Sequence, residues 1–124
     1  MSLIKEYFSL TKKYRDKYGD RTVVLMQVGA FFEVYGLFDP DKSEFNGSCI
    51  ELFANVCELV KKNKQICVGK NNVYMSGFRD FMLEKYLRKL EEEGFTSVVY
   101  TQDVNGKNTT RSLQNIYSPG TYFS

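Results

Sequence analysis

Thr22-Val23-Val24-Leu25-Met26-Gln27-Val28-Gly29-Ala30-Phe31-Phe32-Glu33-Val34-Tyr35 is two β-rich runs parted by two residues. Glycine at the first central position suits a type II′ turn, so the stretch predicts a hairpin with strands over 22–28 and 31–35. Strand side chains alternate, which puts Phe31, Glu33 and Tyr35 on one face of the second strand and Phe32 and Val34 on the other. A face that must hold a glutamate is not expected to be the dry core. An aromatic directly after a tight turn, two residues before a carboxylate on the same face, is a pair that a hairpin tip can present. Periodicity alone also allows Phe31 as an ordinary core residue.

Upstream of the hairpin, Leu3, Tyr7, Leu10 and Tyr14 recur at helical spacing, with Ser2 at the N-cap position and Gly19 just past the end, so a helix is expected over 3–18. Downstream, Asp39 to Gly47 reads as a loop. Ser48-Cys49-Ile50-Glu51 fits a capping box that starts a helix near 49. Its end stays open, because Val56 to Lys61 suits a strand as well as a helix. Short β-like runs at 65–68 and 73–76 precede Gly77. Phe78, Met82, Tyr86 and Leu90 then mark a helix ending at Gly94. Two last strands are expected over 96–102 and 110–117, around Asn105-Gly106. The fold class is α+β, a mixed β-sheet with about three helices packed against it.

The chain has 124 residues, 43% hydrophobic and 26% charged, which suits one globular domain over 1–124. No apolar run approaches the roughly 20 residues of a membrane span, and no signal segment opens the chain, so an intracellular location with no membrane partner is expected. Histidine is absent, which removes His-based zinc sites and Ser-His or Cys-His nucleophile pairs. Cys49, Cys57 and Cys67 form no Cys-x-x-Cys pair and are expected as free thiols without metal. Charge is uneven. Residues 1–21 carry six basic and three acidic side chains, 22–59 one and six, and 60–90 eight and two. Two basic blocks around an acidic one are compatible with a phosphate-facing surface.

Two familiar motifs fail. Asp39-x-Asp41-x-Ser43 opens like a calcium loop, but Glu44 and Ile50 stand where that loop needs Gly and Glu. Gly69-Lys70 resembles the end of a P-loop, but Lys64 and Asn71 replace its first glycine and its Ser or Thr.

Four ordered blocks carry a resemblance. Val24 to Tyr35, with Gly29-Ala30-Phe31-Phe32-Glu33 at its centre, is similar to the Gly-x-Phe-Tyr/Phe-Glu segment of the N-terminal mismatch-recognition domain of MutS-family DNA repair proteins. Met75-Ser76-Gly77-Phe78, followed by Glu84, Tyr86, Leu87, Lys89 and Leu90, resembles that family's Met-Ala-Gly approach to its long helix. Gly94 to Gln102 resembles the strand that follows. Arg111, Ile116 and Ser118-Pro119-Gly120-Thr121 resemble the family's Arg and Thr-Pro-Gly-Thr ending. Arg79 and Phe81 stand where the family usually has Pro and His, and 48–64 matches poorly, so the chain resembles a divergent member, of a viral or organellar branch.

The resemblance implies a fold like that of MutS domain I, and a partner: double-stranded DNA containing a mismatch. It implies that Phe31 is a wedge entering the minor groove and that Glu33 hydrogen-bonds the mispaired base. Arg79, Lys107 and Arg111 are the candidates for backbone contacts, with Met75 and Ser76 as a second groove-facing group. Neither a catalytic residue nor a cofactor is expected in this domain. An ATPase domain using ATP and Mg²⁺, and a MutS-like dimer partner, are implied for the rest of a longer protein. Two rival readings are a small metal-dependent nuclease built on Glu33 with Asp39 or Asp41, and a protein-protein module in which Phe31 is simply core.

Overall fold

The covered strands explain why the hairpin's first run is apolar without alternation. In the computed structural model, which describes residues 2–103 and 109–119, both faces of the central strands carry helices. Strand β1 (Thr22–Val28) is therefore buried continuously from Thr22 to Met26. It turns through Gly29-Ala30 into β2 (Phe31–Asp39), with Val28 opposite Phe31. Gly29 has φ 61° and Ala30 no positive φ, as the type II′ turn requires.

The sheet has the order β4-β5-β2-β1-β6-β7, where β4 is Lys62–Val68, β5 Asn71–Arg79, β6 Thr96–Asp103 and β7 Thr110–Tyr117. Only β1 and β6 pair parallel among the described strands, which makes the sheet mixed. A short strand β3 (Glu44–Asn46) pairs with the far end of β2, Phe38 opposite Phe45. The 39–47 stretch was expected to be loop throughout.

Helix α1 (Leu3–Tyr18) closes one face. The Ser2 hydroxyl accepts from Lys5 N, Gly19 N donates to Arg15 O, and Tyr7, Thr11 and Tyr14 make the buried stripe. Tyr7 donates its hydroxyl to Val24 O at 2.9 Å and sets its ring edge-on to Tyr35, and Tyr14 meets Tyr100 hydroxyl to hydroxyl at 3.0 Å. Helices α2 (Ile50–Cys57) and α3 (Leu83–Glu92) close the other. A Cβ on Gly36 would fall 2.2 Å from Ile50 Cγ2, so the glycine is what admits α2 to the sheet. Tyr86 of α3 stacks on Phe78, which in turn meets Phe32 at a tilt.

Two more local expectations are corrected and one open alternative is settled. The Ser48–Glu51 capping box does not form. Cys49 is the N-cap, and the Ser48 hydroxyl instead accepts from Ile50 N and donates to Tyr35 O, tying the helix start to β2. Glu58 adopts a left-handed φ of 57° and ends α2 at Cys57, which settles the open choice over 56–61. Phe78 lies in β5 rather than opening a helix, and a 3₁₀ turn, Asp80–Met82, leads into α3. The cysteines are free thiols; burial pushes Cys49 up to about 11 and Cys57 to about 12, while Cys67 is exposed on β4. Among the described residues, no helix is long and apolar enough to cross a membrane.

Candidate nucleic-acid interface

Register decides which side chains meet. Pairing of β2 with β5 sets Phe31 opposite Arg79, Glu33 opposite Gly77 and Tyr35 opposite Met75, and pairing of β5 with β4 sets Met75 opposite Lys62. Cross-strand partners share a face, so all of these lie on the side that α1 covers further along. The cover stops short of the turn. Phe31, Glu33, Val60, Lys62, Met75 and Gly77 line an open concavity of about 180 Å³ to which α1 contributes nothing.

Phe31 is 40% exposed, and the Arg79 guanidinium lies 5.2 Å from its ring centre. This cation–π contact steadies the ring from one side and leaves an aromatic surface facing solvent. Glu33 is only 9% exposed, yet it faces the concavity. One carboxylate oxygen accepts a hydrogen bond from the Tyr35 hydroxyl. Burial first, then the hydrogen bond to Glu33 and the Glu33 charge, push the Tyr35 hydroxyl far above its ordinary range, so it stays a proton donor. Among the described residues, no other hydrogen bond reaches the Glu33 carboxylate. The face is thus open at Phe31 and dry at Tyr35, although the glutamate between them argues from sequence against a dry core.

Gly77 explains its own place in the Met75-Ser76-Gly77 block. A Cβ there would fall 2.4 Å from Phe32 O and 3.2 Å from Glu33 Cα, so only glycine lets β5 approach β2 beside the carboxylate. Ser76 pairs with Val34, is 1% exposed and lies on the face opposite to that of Met75, so the structure does not bring these two candidates together.

Of the basic candidates, Arg79 is exposed beside Phe31. Lys107 lies outside the described residues. Arg111 is half-buried, with Nε donating to Gln27 O at 2.6 Å and Nη2 to Gln102 Oε1 at 3.2 Å. Val60 and Lys62 were not singled out from the sequence. Val60 lies in the 56–61 stretch whose reading stayed open, and the signal of Lys62 was membership of the basic 60–90 block, because β4 shifts register between Asn63 and Cys67, with Gln65 at φ 59°, and so hides its alternation.

The nuclease arrangement does not assemble. Glu33 and Asp39 lie on the same strand six residues apart, about 20 Å at strand rise, too far to share a metal ion. Asp39 instead accepts from Asp41 N and Lys42 N and lies 3.7 Å from Lys70. Among the described residues, no three acidic or Cys side chains gather as a metal site.

A family model described as MutS domain I matches residues 1–124. A protein named as a DNA mismatch repair mutS homolog of Acanthamoeba polyphaga mimivirus is 31% identical over 119 residues, covering 95% of this chain and 10% of that protein. A mitochondrial DNA mismatch repair protein mutS homolog of Sarcophyton glaucum is 27% identical over 132 residues, covering 92% of this chain and 13% of its own length. The chain spans about a tenth of the length of these curated relatives.

Proposed function

The chain belongs to the MutS domain I family, and from that premise we propose that it is the recognition module of a DNA mismatch repair protein, with Phe31 as its wedge and Glu33 as its base contact. The observation that carries this reading is the open end of the β2 face. A half-exposed aromatic stands directly after a glycine turn, with a carboxylate two residues on in a concavity that α1 leaves uncovered.

The chemistry divides between the two residues. Inserting an apolar wedge into the minor groove costs a few kcal/mol of unstacking per step, and a mispaired or unpaired base has already lost part of that stacking. Discrimination then follows the duplex's deformability rather than its base letters. Glu33 repels phosphates, so it gains only where its carboxylate meets a base donor at close range, and it penalises intact duplex. Arg79 and Lys62 supply positive charge on either side of the carboxylate, and their contacts with the backbone carry no sequence information. Met75 adds apolar surface to the concavity. Lys107 stays a candidate for the same backbone role.

The domain itself is a binding module, not a catalyst. ATP hydrolysis with Mg²⁺, and pairing with a MutS-like partner subunit, we assign to other domains of the protein, which acts inside the cell on DNA.

Paired binding curves for mismatched and matched duplex at fixed salt test the assignment. Phe31→Ala should lower mismatch affinity roughly tenfold to a hundredfold, the scale of one base–aromatic stack, and leave matched duplex nearly unchanged. Glu33→Ala should narrow the preference by retaining or raising affinity for matched duplex. Equal weakening of both duplexes by Phe31→Ala, with the fold intact, rejects the wedge.

A further inference from the structure

The parallel ladder between β1 and β6 ends at Met26 and Tyr100, yet β1 runs on to Val28 and the turn beyond. Past that point side chains take over the backbone groups. Gln102 N donates to Gln27 Oε1 at 2.9 Å, and Gly29 N donates to Gln102 Oε1 at 2.8 Å. Arg111, opposite Gln102 in the β6–β7 register, donates from Nε to Gln27 O and from Nη2 to that same Gln102 oxygen. On the other flank Asp80 N donates to Ala30 O at 2.8 Å. Each turn residue is therefore tied to a different neighbour, Gly29 to the β6–β7 side and Ala30 to the β5 side. A Cβ on Gly29 would meet nothing within 4 Å, so hydrogen bonds rather than packing hold this residue.

We infer that Gln27, Gln102 and Arg111 are positioning residues that fix the Gly29–Ala30 turn and so set the pose at which Phe31 meets DNA. The inference rests on the wedge reading above. It gives Arg111 a task other than a phosphate contact. The planar guanidinium bridges a main-chain carbonyl and an amide oxygen at once, which the single ammonium of lysine cannot reproduce. The Gln102 amide can only point its oxygen at the turn, because two donors converge on it.

Arg111→Lys separates the two tasks, since it preserves charge and removes the bridge. The test uses the full polypeptide and two readouts: hydrogen exchange of the Gly29 amide without DNA, and paired mismatch and matched-duplex binding across salt concentrations. Arg111→Lys and Gln102→Leu should speed Gly29 exchange and cut the mismatch preference by about tenfold, the scale of one hydrogen bond to a charged group, with the salt slope unchanged. Gln102→Glu retains the acceptor and should preserve both Gly29 protection and the preference ratio. A wild-type preference that survives Arg111→Lys, or unchanged Gly29 exchange in both disruptive variants, overturns the inference alone. A wild-type protein with no preference for mismatches overturns the wedge reading, and this inference with it.

Discussion

Strand β2 shows the same face to two different surroundings. At Tyr35 that face is sealed, the ring packed edge-on against Tyr7 of α1 with centroids 5.2 Å apart and both residues buried. Two and four residues nearer the turn, at Glu33 and Phe31, no helix covers it and the surface opens into the concavity with Val60 and Lys62. The side chains at both ends are large and the strand is continuous, so the contrast comes from where α1 lies. A residue under the helix contributes to folding. A residue beyond it is free to contribute to binding, and the two roles should come apart under mutation.

The sharpest way to separate them is a pair of truncations read by denaturant midpoint. Tyr7→Ala removes a fully buried aromatic and its hydrogen bond to Val24, and should cost about 3–5 kcal/mol. Phe31→Ala removes a half-exposed ring held by one cation–π contact, and should cost under about 1 kcal/mol. Comparable losses at the two positions would erase the distinction between a sealed and an open end.

Gly77→Ala probes the boundary from the neighbouring strand. Its Cβ runs into Phe32 O and crowds Glu33, so β5 must move, at about 1–3 kcal/mol for overpacking. A lower melting temperature together with a reduced mismatch preference is expected. A variant as stable as the wild type would mean that the strands can part there without strain.

A smaller perturbation than the strand-parting glycine change is Tyr35→Phe, which leaves the ring under Tyr7 and removes only the hydroxyl that holds Glu33. Water in the open concavity can replace the lost donor, so the stability cost should be about 0.5–1.5 kcal/mol. Binding should show the larger change, as a weaker preference from a less fixed carboxylate. An unaltered mismatch-to-match ratio would show that Glu33 does not need its tyrosine.

Local chemistry made much of this legible before any coordinates. The Ser2 cap and Gly19 bracket α1, and Gly29 with two β-rich runs gives the hairpin that exposes the large side chain of Phe31 just past its turn. What escaped depends on partners distant in sequence. Ser76 reads as a neighbour of Met75 until its pairing with Val34 turns it inward. Phe78 fits a helical stripe until β2 claims it as the strand partner of Phe32. Lys62 reaches the concavity through β4, whose irregular register leaves no period to read, and Val60 through the segment just before it. Arg111 reads in the sequence as a candidate phosphate contact; only the end of the β1–β6 ladder reveals what it bridges.

The hydrogen bond from Gly29 to Gln102 spans 73 residues of chain, while the turn that it steadies joins strands only two residues apart. Those distances set a timetable. A hairpin closes within about 1–10 μs, whereas pairing β1 with β6 must first close a loop of dozens of residues and waits on the helices and strands between. The turn is made early and tethered late. Pulse-labelled amides should therefore record Val28 and Phe31 as protected before Gly29, and a chain interrupted before β6 would carry a shaped but unanchored tip.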